Sequence, residues 1–164
     1  MAETKTLKIG IAGSGNRSQG YARALGQVER VRVTAAAAGN RFAVDLQRTI
    51  PGVAIERDVG GLIRRANVDA IVFADPVVDL AAVIRRALLA DKHVLATISS
   101  PVTCRQLDEL ASLAGRQEIG SFLSGSRGIL QDRDGLLHHP AHEGFHRLSL
   151  QVQAVVAASA RLED

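Results

Sequence analysis

Short apolar runs alternate with helix-compatible stretches along most of this chain, and the alternation predicts its architecture. Leu7–Ala12 reads as a first strand and Arg17–Gln27 as a first helix. Val31–Ala37 comes next as a strand buried on both faces, as parallel strands are. Arg41–Thr49 is a short helix stopped by Pro51 and Gly52. Val53–Glu56, Asp69–Ala74, His93–Thr97 and Ile119–Leu123 complete the strands, with helices over Val59–Ala66, Leu80–Ala90 and Cys104–Arg116 between them. Asp79 and Thr103 stand where helix caps belong. The pattern predicts an α/β fold: a doubly wound parallel sheet with right-handed crossovers, the Rossmann arrangement. The regularity drops after Gly125. Arg127–Gly135 reads as helical, and Pro140 and Gly144 interrupt any long helix through His138–His146. Phe145–Val156 alternates apolar and polar positions and reads as an extra C-terminal strand with one buried face. Residues 1–125 are therefore expected to form the Rossmann domain, and 126–164 a connecting segment with that strand.

The junction of the first strand and first helix carries the main chemical signal. It reads Gly13-x-Gly15-x-x-Ser18, in the order a dinucleotide-binding turn needs. The chain must reverse at Gly13, and Gly15 must lack a side chain so that backbone can approach a pyrophosphate. A small third residue lets the helix lie close to the strand; here it is Ser18, where glycine or alanine is usual. The helix N-terminus then turns free N–H groups and a positive dipole end toward the phosphates. Gly13, Gly15, Asn16 and Arg17 are the expected phosphate-side residues.

Composition narrows the possible partners. The 164 residues are enough for one domain with a real core, and aromatics make up only 3%. Alanine, valine, leucine and isoleucine must then fill that core. The net charge of +3 comes from arginines scattered along helices, without the basic stripe and stacking aromatics of a nucleic-acid interface. No nucleic-acid partner is expected. No apolar run approaches the ~20 residues that cross a bilayer, and no apolar signal region precedes the first strand, so no membrane partner is expected either. The single cysteine, Cys104, fits a reducing cytoplasm and excludes an internal disulfide.

Taken together, these elements give a chain that resembles the N-terminal half of the Gfo/Idh/MocA oxidoreductase family, which includes glucose–fructose oxidoreductase and inositol dehydrogenase. The resemblance rests on Lys8-Ile-Gly-Ile-Ala-Gly-Ser-Gly15, the segment from Asn67 to Asp75-Pro76, and Asp91-Lys-His-Val-Leu95, in that order. Gly144–Leu150 is similar to the strand that opens the family's second domain. The resemblance implies a Rossmann domain that binds NAD(H) or NADP(H), in enzymes that oxidise or reduce sugars, inositols and related alcohols. Two departures accompany it. The family's Glu-Lys-Pro after the fifth strand, whose lysine contacts the cofactor and aids proton transfer, falls on Thr97, Ile98 and Ser99. Ile98 carries no proton, and a serine without a base is a poor acid–base catalyst. The family's second domain, with its Asp-x-x-x-His pair and substrate pocket, is matched here only by one strand, and His146 does not replace that pair. By itself this sequence is not expected to complete the family's reaction.

The cofactor preference rests on the end of the second strand, where NAD-binding domains place an acid against the ribose hydroxyls. Near Ala38 there is no carboxylate, and Arg41 stands ready to pair with a 2′-phosphate. Gly39-Asn40 also resembles the corresponding turn in the NADP-bound glucose–fructose oxidoreductase of that family. One reading is a preference for NADP over NAD, with Asn40 and Arg41 at the 2′-phosphate. The other is that nothing binds, the acid having drifted away with the lysine. Asp75 and Pro76 lie at the carboxyl end of the fourth strand; Asp75 either touches ribose or nicotinamide or starts the turn before Pro76. Ser99 and Ser100 are expected on the nicotinamide side. His138, His139, His142 and His146 do not have metal-ligand spacing, and no metal is expected. The exposed face of the 145–156 strand calls for cover, by a second copy in a homodimer or by a partner chain. The functional readings are an NADP(H)-binding oxidoreductase domain active with a partner, a pseudoenzyme serving assembly or regulation, and a non-redox enzyme reusing the cleft.

Overall fold

The computed structural model describes residues 6–98, 102–116, 121–125, 129–132 and 135–138. Strands β1 (Leu7–Ala12), β2 (Val31–Ala37), β3 (Ala54–Glu56), β4 (Ala70–Phe73), β5 (His93–Ile98) and β6 (Ser121–Gly125) alternate with helices. The helices are α1 (Asn16–Leu25), α2 (Asn40–Thr49), α3 (Val59–Arg64), α4 (Leu80–Leu89) and α5 (Cys104–Arg116). Two further strands, β7 (Ile129–Asp132) and β8 (Gly135–His138), complete the sheet. The sheet order is β3-β2-β1-β4-β5-β6-β7-β8, with every pairing up to β6 parallel. The expected doubly wound Rossmann sheet is present, and each strand read from the sequence up to residue 125 is found within two residues of its place.

One expectation fails. Arg127–Gly135, read as helical, instead supplies β7 and the start of β8, which pair antiparallel, β7 with β6 and β8 with β7. Asp132 pairs with Gly135 at one end of the β7–β8 ladder. The strand expected over 145–156 lies outside the described residues.

Side-chain alternation along the sheet builds two cores. On one face Ile71 and Phe73 of β4 and Val94 of β5 pack with Leu62 of α3, Ile84 and Leu88 of α4, and Leu110 and Leu113 of α5. On the other, Ile9 and Ile11 of β1 and Val72 of β4 pack with Tyr21 and Leu25 of α1 and with Phe42 and Leu46 of α2. Strand β2 carries an irregularity: Ile9 pairs with Val33, but Gly10 pairs with Ala35, leaving Thr34 out of register. That extra residue reverses the phase, so Val33 and Ala36 share one face and Ala35 and Ala37 the other. The Thr34 hydroxyl donates to the Asn67 carbonyl at 3.1 Å.

Local chemistry sets the helix starts away from the cleft. Asp58 accepts from the Gly61 N–H at 2.7 Å and opens α3; Asp79 accepts from the Ala82 N–H at 3.4 Å and opens α4. Thr103 accepts from the Gln106 N–H, while the Gln106 side chain accepts from the Thr103 N–H at 2.9 Å, a reciprocal capping box for α5. Lys92, part of the segment that resembles the family, plays a structural role. Its ammonium donates to the carbonyls of Arg65 (2.9 Å) and Val68 (2.6 Å) and so closes the loop between α3 and β4. Lys92→Met is expected to cost about 1–3 kcal/mol, because two part-buried carbonyls lose a charged donor; a urea midpoint unchanged from wild type would contradict that role.

Candidate functional site

In a sheet of this order the crevice lies beyond the carboxyl ends of β1 and β4, whose outgoing connections diverge to opposite faces. The chain leaves β1 through Gly13, whose φ of +144° is a conformation side-chain-bearing residues rarely adopt. The Gly13 N–H donates to the Ala37 carbonyl at 3.1 Å and ties the turn to β2. Gly15 then caps α1 with its backbone alone, since no side chain of the turn bonds the free N–H groups. Helix α2 likewise opens at Gly39 without a side-chain cap. A Cβ placed on Gly39 would lie 3.7 Å from the Ser14 Cβ, which puts the start of α2 beside the glycine turn.

Beyond β4 the Ala74 N–H donates to the Ala12 carbonyl at 3.2 Å, carrying the pairing of the two strands one residue past β4. That bond delivers the next residue, Asp75, to the glycine turn. Its Oδ2 accepts from the Gly15 N–H at 2.6 Å and from the Ser18 hydroxyl at 2.6 Å. Ser18 is fully buried, and its hydroxyl finds an acceptor there. Both glycines border this carboxylate closely. A Cβ on Gly13 would fall 2.4 Å from Ser18 Oγ and 2.5 Å from Asp75 Oδ2; one on Gly15 would fall 2.9 Å from Asp75 Oδ1.

The expected site residues are only partly brought together. Gly13, Gly15, Asp75 and the start of α2 meet at the carboxyl edge of the sheet. Asn16 and Arg17 open α1 and are exposed, as is Pro76. Asn40 and Arg41 form the first turn of α2, their side chains lying outside the described set. Ser99 and Ser100 lie outside the described residues; β5 runs to Ile98. His139, His142 and His146 also lie outside them. Among the described residues no group of three or more His, Cys, Asp or Glu is placed to hold a metal ion, and no helix is long and apolar enough to cross a membrane. A cavity of about 300 Å³ between α1 and α2 is lined by Gln19, Arg23, Phe42 and Asp45 among others, and among the described residues none of the expected cofactor residues borders it.

Sequence reasoning did not anticipate the bond from Ser18 to Asp75, although a signal for it exists. With β1 and β4 adjacent, the residues just past the two strands must meet, and one of them is acidic.

No protein-family model and no curated protein matches the sequence. Solved structures do match. Biliverdin reductase from Synechocystis sp. PCC 6803, in complex with biliverdin and NADP+, is 21% identical, with a TM-score of 0.66 over 75% of this chain. A 3-ketoreductase from Actinomadura kijaniata, in complex with TDP-benzene and NADP, is 26% identical, with a TM-score of 0.65 over 73% of this chain. The matches cover 38% of each of those two proteins, so this chain spans well under half of their length. The fold is the Rossmann-like α/β fold of these oxidoreductases, and the glycine turn lies at the carboxyl edge of its parallel strands.

Proposed function

We propose that this chain is a dinucleotide-binding domain of the Gfo/Idh/MocA oxidoreductase type, with NADP(H) its preferred ligand. The observation that carries the reading is the glycine turn at the switch point, where β1 and β4 part and α1 begins without a side-chain cap of its own. Free N–H groups at such a helix start suit a pyrophosphate. Two structural neighbours that were solved with NADP add support. Gly13, Gly15, Asn16 and Arg17 would hold the pyrophosphate, and Asn40 and Arg41 the 2′-phosphate. Pro76, Ser99 and Ser100 would border the nicotinamide side. The dinucleotide, when bound, supplies hydride chemistry. Ile98 supplies no proton, so redox turnover would need a substrate surface and an acid–base group from a partner chain, or from a second copy joined through 145–156.

Titration with NADPH and NADH tests this. NADPH is expected to bind more tightly than NADH. Arg41→Ala is expected to weaken NADPH by about tenfold to a hundredfold, the value of one charged contact to phosphate, and to leave NADH unchanged. Binding of neither nucleotide at millimolar concentration would remove the proposal.

One observation favours a second reading, a module that keeps the fold and binds no nucleotide. The Asp75 carboxylate already takes the Gly15 N–H, a donor that a phosphate would use.

A further inference from the structure

An acid sits in the cleft where the fold favours an anion. Helix α1 points its positive end at the glycine turn, and the group seated there is the side chain of Asp75. One carboxylate oxygen receives two donors at 2.6 Å each, short bonds of the charge-assisted kind. In this arrangement it stands in for a phosphate oxygen. The seat is also well anchored. The Ala74 N–H fixes the preceding residue to β1, and Pro76 restricts the backbone on the other side.

From this geometry we infer that Asp75 is an internal competitor for the phosphate seat and thereby a specificity-determining residue of the cleft. The inference rests on the proposal that the turn receives a dinucleotide. A pyrophosphate arriving at Gly15 meets a negative charge and finds the N–H taken. It binds only if the carboxylate swings away and gives up both hydrogen bonds. The cost falls on every ligand with a phosphate at this point. A ligand offering a hydroxyl or a positive group there meets no such penalty. Asp75 therefore lowers dinucleotide affinity, and the ionic part of that effect weakens as salt screens the two charges.

The experiment compares wild type with Asp75→Ser and Asp75→Asn, each titrated with NADPH by calorimetry at low and high salt. Ligand-induced rises in melting temperature provide a second readout. Serine removes both the charge and the bulk; asparagine removes the charge but retains an acceptor for Gly15 and Ser18. Asp75→Ser is expected to bind NADPH about tenfold tighter or more, with Asp75→Asn intermediate, and with the gain shrinking at high salt. Without ligand, both variants are expected to melt below wild type, because the buried Ser18 hydroxyl loses its ionic acceptor. If Asp75→Ser fails to fold, Asp75→Asn carries the comparison. Folded variants that bind NADPH no better than a wild type that itself binds would overturn the competitor role and leave the dinucleotide proposal standing. Binding by neither wild type nor variants would overturn the dinucleotide proposal, and the competitor role with it.

Discussion

Gly13→Ala is expected to lower the unfolding free energy by about 2–5 kcal/mol and to abolish whatever anion binding the turn supports. Two independent costs add at this position. The first is conformational, because a φ of +144° is one that alanine rarely adopts. The second is steric, because the new methyl group would sit 2.4 Å from Ser18 Oγ and 2.5 Å from Asp75 Oδ2. Neither neighbour yields readily: Ser18 is fully buried on α1, and Asp75 is held by two hydrogen bonds. Relief would require the Ser18 hydroxyl and the Asp75 carboxylate to turn apart and give up the bond between them, or α1 to shift against the packing of Tyr21 and Leu25. Chemical denaturation would read the loss directly. A fall under about 0.5 kcal/mol, the scale of an ordinary surface change, would mean that the turn relaxes freely and is no fixed seat.

Phe73→Ala is expected to cost about 3–5 kcal/mol, a large share of the roughly 5–15 kcal/mol that holds a typical domain together. Phe73 is the last residue of β4 and is completely buried. In a chain with only 3% aromatic residues, its ring is among the largest groups available to fill the space between the sheet and helices α3, α4 and α5. Small neighbours such as Ala12, Ala37 and Ala96 cannot expand into the vacancy. Phe73→Leu keeps most of the volume and is expected to cost less than about 1.5 kcal/mol. Equal losses for the two variants would show that the cavity collapses. The residue also stands two positions before Asp75, so the alanine variant is expected to loosen the end of β4 as well as the core.

Much of this fold is readable in the sequence because its elements are local and repeated. The pattern around Ile71, Val72 and Phe73 reads as a strand in isolation, and Thr103 marks a helix start from its position alone. The bulge at Thr34 is not readable, since it depends on the partner strand: nothing in Val-Thr-Ala signals a change of phase. The β7–β8 pair escapes sequence reading for a related reason. Its strands are four residues long, too short to show a period, and Leu130 with Gln131 suits a helix equally well. At the site, the glycine turn and the placement of Asp75 at a strand end are legible. The direction of the Asp75 side chain is not, because it is set by the Gly15 N–H and the Ser18 hydroxyl across the sheet and not by residues near position 75.

The contact between Gly15 and Asp75 closes across 60 residues of chain. A nascent chain that has emerged only through β3 has its glycine turn but neither β4 to flank it nor an acid to occupy it. Strand β1, which lies between β2 and β4, is thus made first and finished late, after the connections through α1, α2 and α3 have formed. Such nonlocal closure slows folding relative to the helix-by-helix assembly of a bundle. For this chain, the edge that carries the glycine turn is complete only when β4 docks, which makes the arrival of Asp75 a marker of the last step in building the N-terminal half of the sheet.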